Sequence, residues 1–454
     1  MTDVLLAIDG GSQSTKVSVF DASGVVHATA RVPLRPYELG PGGRAVHPDD
    51  DLWDTLAAAT REVLMSYDGG AGDVVAVGLC GIRSCRALLD QQGRLTEPVL
   101  SWMDARAAAP LEEVDPRVTT VTSAGGYLAT RLTGERRDSV ARPQEVLPPA
   151  ELRPELVDPG DLLGQVTDEA ARQTGIRAGL PVFATANDKA VEALGCGLLE
   201  PGTVLLSLGT YVAAMTVGDG DGLPDDARCW VNDAAVPGRR LIESEGIRRG
   251  MWTVSWLRQL VGAAAPDLVD PGAVAAWLEA GAWDVPPGCG GLLTVPDWLA
   301  PGHASHRRGV ILGLDASHGP HHLHRSILEG IALTMRGHVE SLEAALAMPP
   351  ARLVVSGGGA RSDLMTQVVA DVFGRTVERA GVADAAGLGA AVCAAVGHGT
   401  HPSFGTAAAA MTRPGDRVEP DPAASRAYDD VRAAFSQLTT VTDPLLRRIT
   451  GPQH

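Results

Sequence analysis

The stretch VLLAIDGGSQSTKVSVF, residues 4–20, begins with five apolar residues, turns polar at Asp9, and from Lys16 alternates polar with apolar side chains. A continuous apolar run, a glycine corner and a period-two run predict a buried strand, a tight turn and a second strand. The segment VLLSLGTYVAAMTV, residues 204–217, repeats that outline, as expected if each hairpin opens one half of a duplicated α/β fold. Between them HPDDDLWDTLAAATREVL places Leu52, Trp53, Leu56 and Ala59 on one helical face, with Asp49 or Asp50 at the cap and Trp53 in the core. VVAVGLCGIRSCRALLD reads as two apolar strands interrupted at Arg83-Ser84, and PVFATAN as a strand that stops at a carboxylate, Asp188, before a small-residue helix. In the second half RRGMWTVSWLRQLV predicts an amphipathic helix with Trp252 and Trp256 turned to the core. LHRSILEGIALTMRGHVESLEAAL predicts a long helix, LVVSGGGARSDLMTQVVADVF a strand, a triple glycine and a helix, and GLGAAVCAAVGHG a closely packed helix ending at Gly399. The tail, 420–454, reads as one surface helix.

At 454 residues the chain is longer than one core usually serves, so two domains are expected. Its formal charge of -17, with no basic patch, argues against nucleic acid as a partner. The six cysteines are scattered without a C-x-x-C, and no uncharged apolar run reaches the ~18 residues of a membrane span. These features predict a reduced, cytoplasmic protein with no membrane partner. Of 38 basic side chains only Lys16 and Lys189 are lysine, and each falls beside one of the segments just described, where a compact ammonium suits an anion.

The candidate chemistry gathers in those segments. Gly10 and Gly11 let backbone N–H groups approach an anion, Ser12, Ser14 and Thr15 add hydroxyls, Lys16 adds charge, and Asp9 is placed to orient a hydrated magnesium ion. A Walker A loop is excluded because neither lysine follows a glycine, and no G-x-G-x-x-G follows the first strand. Gly357, Gly358 and Gly359 would bring backbone against a flat ligand at a helix start. His318, His321, His322 and His324 crowd the start of the long helix, but no carboxylate or cysteine has ligand spacing with them, and a solvated helix start is the plainer reading.

Taken in order and spacing, IDGGSQSTKVSVFDASG, VLSWMDARA, ANDKAVEALGCGLLEPGTVLLSLGTY, RRGVILGL with LHRSILEGIA, and SGGGARSDLMTQVVADVFGRTV resemble the FGGY carbohydrate kinases of the actin/hexokinase-like superfamily. The resemblance covers nearly the whole chain. It implies an α/β fold of two ribonuclease H-like domains, residues 1–198 and 199–454, with a sugar and ATP in the cleft between them. It implies Asp188 as catalytic base and Asp9 and Asp188 at the magnesium. Gly11, Ser12, Ser14 and Lys16 would form the first phosphate motif, Ser207, Gly209 and Thr210 the second, and Gly358, Gly359 and Ser362 the adenosine pocket. On the acceptor side it implies Arg83, Ser84, Trp102, Asp104, Arg106 and Lys189, with Ser84 standing where the glycerol-kinase pattern has glutamate.

Three departures concern the acceptor: Lys189 replaces the usual Asn or Gln after the base, the Met-His pair of xylulokinases is absent, and residues 107–160 are shorter than the family's stretch. The implied reaction is ATP-dependent phosphorylation of a small ketose such as xylulose, or of a polyol. Lys189 with Arg83 keeps an aldonate open as the alternative acceptor. A sugar or nucleotide sensor without turnover is the competing class; a chaperone-type ATPase would want a peptide-binding domain after the second half, for which the short tail is not expected to leave room. A homodimer is compatible with the chain.

Overall fold

The computed structural model describes residues 3–111, 114–141, 147–220, 223, 228–264, 270–347 and 349–450. Two sheets carry the architecture. The first runs in the order Leu162–Gln165, Pro181–Asn187, Val74–Gly81, Val4–Gly10, Ser14–Asp21 and Val26–Pro33. The second runs Cys229–Asp233, Arg240–Ser244, Val212–Gly218, Thr203–Leu208, Arg352–Ser356, Val377–Ala380 and Pro414–Val418. Both predicted hairpins are present: Val4–Gly10 pairs antiparallel with Ser14–Asp21, and Thr203–Leu208 with Val212–Gly218.

Each hairpin's first strand also pairs in parallel with a strand from further along the chain, Val74–Gly81 in the first sheet and Arg352–Ser356 in the second. The two sheets therefore repeat one ribonuclease H-like plan, as the duplicated outline led us to expect. Parallel pairing has a direct consequence for the chemistry. Because Val4–Gly10, Val74–Gly81 and Pro181–Asn187 run in one direction, Asp9, Arg83 and Asp188 all emerge at the same edge of the first sheet.

The first sheet's outer face is covered by the helices Asp51–Ser66 and Ala124–Thr133, which bury Leu52, Trp53, Leu56, Tyr127 and Leu128 against Ile8, Val17 and Leu79. Trp53 is in the core, as its position on the helix predicted. The Asp49 or Asp50 cap is not formed: Asp50 occupies the cap position without a side-chain cap bond and accepts instead from the Tyr127 hydroxyl and Arg131. That choice ties the two helices together where a cap would have served only one.

The inner face of the same sheet is covered by Asp188–Gly195 and by Ala385–His398, a helix from the far end of the chain. A Cβ at Gly195 would lie 1.8 Å from the Ala385 carbonyl, and one at Gly389 would lie 1.9 Å from the Val191 carbonyl. Backbone touches backbone there, which is why the sequence of the late helix is so rich in glycine and alanine. One apolar cluster continues across this contact. It joins Leu5, Ala7 and Cys80 of the first sheet to Leu205, Met215, Leu241 and Val354 of the second.

The second sheet's other face packs against Pro320–Leu346 and Asp363–Phe373. The tail forms the helix Pro422–Thr450, with its last four residues outside the described set. It is more than a surface helix: Tyr428 is fully buried and its hydroxyl donates to Glu329 at 2.7 Å, while Arg325 donates to the same carboxylate at 2.9 Å. Among the described residues no helix is long and apolar enough to cross a membrane.

Candidate active site

Asp9 ends the central strand of the first sheet opposite Lys16 in the hairpin ladder. Its Oδ1 is buried with no hydrogen-bond partner among the described residues. Burial, with Asp384, Asp188 and Glu192 nearby, pushes the Asp9 carboxyl up to about 7, against the partial relief that Lys16 gives. The Lys16 ammonium lies 3.2 Å from Asp384 Oδ1, and Ser18 donates to Asp384 Oδ2 at 2.8 Å. Asp384 also accepts from the Gly387 N–H as the cap of the helix Ala385–His398. The first corner is thus fastened to the late helix through one carboxylate.

The hydroxyls of that corner are divided. Ser14 Oγ accepts from Arg31 Nε at 2.7 Å and Thr15 bonds Thr55 in the core. Ser12 has no side-chain bond among the described residues, while its carbonyl accepts from the Tyr37 hydroxyl at 3.0 Å. Gly11 has room for a Cβ only by crowding the Ser14 carbonyl at 3.2 Å, which leaves its open side to a ligand. Of the candidate hydroxyls in this corner, that of Ser12 has no side-chain bond among the described residues, while the Lys16 ammonium is paired with Asp384.

Asp188 begins a short helix at the carboxyl end of Pro181–Asn187. The Asn187 side chain caps that helix by accepting from the Lys189 and Ala190 N–H groups, so the Asp188 carboxylate is not needed as a cap. Its Oδ1 is buried and without a partner among the described residues. A carboxylate held at a strand end with one orphan oxygen can accept a proton from a ligand hydroxyl.

Lys189 turns the other way. Its ammonium donates to Glu192 Oε2 at 2.9 Å and to Ser207 Oγ at 2.6 Å, and Glu192 accepts further from Ser207 at 3.0 Å and Ser356 at 2.6 Å. Burial opposes both charges, but their pairing holds the lysine above its ordinary range and the glutamate below its own. The positive charge of Lys189 is thus paired within the protein, and the buried hydroxyl of Ser207 is engaged with that ion pair. What remains of the second corner is Gly209 and Thr210, and Thr210 Oγ1 accepts from Gln13 Nε2 of the first corner at 3.4 Å. The two corners face each other, as the repeated outline suggested.

On the acceptor side Arg83 lies beside Asp188 and donates to Glu243, a residue of the second sheet. Burial works against the guanidinium, yet Glu243 and Asp188 raise it further above its already high range. Ser84 takes a left-handed backbone conformation, φ 56°, costly for a residue with a Cβ and common where a chain is shaped for a ligand. Trp102 keeps 36% of its surface exposed, as a sugar-stacking ring would.

Asp104 and Arg106 do not present free groups. Asp104 is buried and accepts from the Ala45 N–H at 2.8 Å and from Arg106 at 2.9 and 2.8 Å, which holds its carboxyl low despite burial. The pair fixes the loop below Trp102.

Around the triple glycine, Gly357 has φ 82° and Gly359 packs so tightly that a Cβ would meet Leu208 Cβ at 2.9 Å, whereas a Cβ at Gly358 would meet nothing within 4 Å. Ser362 caps the helix Asp363–Phe373 and donates to Glu279 at 2.7 Å. Trp256 stacks on Trp298, but Trp252 is not core: it lies half-buried beneath the Arg249 guanidinium, 4.5 Å from the ring centre. Of the four histidines, His318 bonds the Cys289 carbonyl and meets His322 edge to face with ring centres 5.2 Å apart, His321 lies tilted against Trp277, and His324 is buried.

Five residues absent from the sequence reading complete the arrangement: Glu192, Glu243, Glu279, Ser356 and Asp384. Glu192 had a signal, since it falls one helical turn after Asp188 in an otherwise small-residue helix. Glu243 and Asp384 had none without knowledge of which segments pair.

Comparison with known proteins agrees with this layout. Residues 4–133 match the N-terminal domain of the FGGY family of carbohydrate kinases and residues 224–398 its C-terminal domain. The uncharacterized sugar kinase YgcE of Escherichia coli K12 is 39% identical over 478 residues, covering 99% of this chain and 96% of that protein. The xylulose kinase structure from Rhodospirillum rubrum superposes with a TM-score of 0.81 at 26% identity, over 98% of this chain and 100% of that one. A gluconate kinase from Lactobacillus acidophilus shares the fold at a TM-score of 0.82 and 17% identity, over 98% and 99% of the two chains. With its duplicated sheets, its two facing corners and these matches along nearly its whole length, the chain belongs to the FGGY family of carbohydrate kinases, phosphotransferases with an alcohol group as acceptor.

Proposed function

We propose that this kinase transfers the γ-phosphate of ATP to a hydroxyl of a ketose, such as a pentulose, or of a small polyol, and does so in the cytoplasm. Residues 1–198 carry the acceptor and the base, and residues 199–454 hold the adenosine. The observation that carries the reading is the Asp188 carboxylate, whose orphan buried Oδ1 lies at the same sheet edge as Asp9, in a protein whose two corners meet at Gln13–Thr210.

Asp188 accepts the proton of the acceptor hydroxyl as its oxygen attacks the γ-phosphorus in line with the leaving β-phosphate oxygen. Backbone N–H groups around Gly11 and Gly209, with Ser12, Thr210 and Lys16, hold the phosphates, and the opening beside Gly358 admits the adenosine. Asp9 and Asp188 offer two orphan carboxylate oxygens, a hard donor set that fits Mg2+. A magnesium ion held there would neutralise phosphate charge as the reaction proceeds. Approach of the two halves, joined at Gln13–Thr210 and Arg83–Glu243, excludes water from the transferred group.

An ATP-consumption screen over ketoses, polyols and aldonates, with the phosphorylated product identified by mass, tests the reading. ADP and a sugar phosphate formed in equal amounts support it. Nucleotide binding with no transfer to any of these acceptors would favour the sensor reading instead.

A further inference from the structure

Glu243 lies in the strand Arg240–Ser244 of the second sheet, opposite Met215 in the ladder and two residues after the core side chain Leu241. Alternation along a strand turns Glu243 toward the same face as Leu241, the face that meets the first half. A carboxylate in that position is fully buried, which costs several kcal/mol per ion unless it is paired and hydrogen-bonded. Its Oε1 is paired, accepting from Arg83 of the first half and from Asn232 Nδ2 at 2.9 Å. Its Oε2 is buried and has no partner among the described residues. The Arg83 guanidinium that it grips also lies beside Asp188 and Tyr211.

The charges around this point favour one class of acceptor. The three cations of the cleft, Arg83, Lys189 and Lys16, are each paired with a carboxylate, Glu243, Glu192 and Asp384. Two further carboxylates, Asp9 and Asp188, stand among them, and Arg106 is held by Asp104. An acceptor that carried its own carboxylate would find these cations already paired, whereas a hydroxyl can donate to Glu243 Oε2.

Resting on the kinase reading above, we propose that Glu243 is a specificity-determining residue: its Oε2 accepts a hydrogen bond from an acceptor hydroxyl, and by committing Arg83 it selects uncharged ketoses or polyols over sugar acids. The test compares kcat/KM for neutral and aldonate acceptors of equal carbon number in the wild-type enzyme, in Glu243→Gln and in Glu243→Asp. The wild type is expected to favour the neutral acceptor by at least about 100-fold. In Glu243→Gln that preference should fall about tenfold or more, through a higher KM for the neutral acceptor with the KM for ATP unchanged. In Glu243→Asp, which keeps the charge and withdraws the oxygen, the KM should rise while the bias against aldonates persists; this variant and the wild-type comparison still decide the matter if the glutamine variant does not fold. A wild type that prefers aldonates, or a Glu243→Gln enzyme with unchanged preference and KM, overturns the proposal while leaving the kinase reading intact. Transfer to neither class removes the kinase reading and this inference together.

Discussion

Replacing Asp9 with Asn should stabilise the metal-free protein at alkaline pH while abolishing its use of magnesium. The carboxyl is raised from an ordinary 3.8 to about 7 by burial and by Asp384, Asp188 and Glu192. Between those two values the folded protein keeps a proton that the unfolded chain has released. Folding is therefore favoured on the acid side, and stability falls as pH rises through the window, with the whole amount lost above about 7. About three decades of proton affinity at ~1.4 kcal/mol each set a ceiling of ~4 kcal/mol.

Asn has nearly the same shape and no charge, so the part of the pH dependence that Asp9 contributes should vanish in the variant. Urea unfolding of both proteins at pH 5 and pH 8, without divalent ions, reads the difference directly. By the same arithmetic the variant should be the more stable by about 1.7 kcal/mol at pH 5 and by about 4 kcal/mol at pH 8. Adding Mg2+ at pH 8 should close the gap by stabilising only the wild type. Parallel pH dependences for the two proteins would refute the assignment of Asp9 as a carboxylate held at an electrostatic cost.

Three further outcomes follow from the same geometry. In the wild type, kcat/KM for Mg-ATP should rise as pH climbs through about 7, as Asp9 loses its proton, and a pH profile flat from 6 to 8 would contradict this. Lys189→Gln leaves Glu192 buried without its cation and should cost about 3–5 kcal/mol of stability, without shifting the choice between neutral and acidic acceptors. Gly389→Ala places a methyl group 1.9 Å from the Val191 carbonyl, forcing apart the helix that begins with Asp188 and the helix capped by Asp384; a loss of about 1–3 kcal/mol or more, measured by urea unfolding, is expected together with reduced turnover.

What could be read from the chain and what could not divide along a physical line. The two hairpins were legible because buried strands, glycine corners and alternating strands each leave a local pattern, and Asp188 because a carboxylate ends an apolar run. The rarity of lysine drew attention to two positions that both prove to lie in buried or half-buried ion pairs. It could not tell which way Lys189 turns on a helix of two turns, and the lysine serves Ser207 and Glu192 rather than the acceptor.

The bond from the Ala45 N–H to Asp104, and the ion pair that Asp104 makes with Arg106, likewise could not be read from two charges two residues apart. Glu243 was invisible, because its partner Arg83 is 160 residues away and a single acid in the strand RLIES reads as a solvent-facing residue. Contacts made between the two halves leave no trace in local periodicity.

The central claim is that Asp188 is the base of a phosphoryl transfer whose nucleotide site lies elsewhere in the cleft. Its most direct test is the turnover of Asp188→Ala on an acceptor the wild type phosphorylates, measured beside ATP binding by calorimetry. Binding of ATP should remain measurable while turnover falls by about 10²–10⁴-fold. Turnover within a few-fold of the wild type would contradict the account.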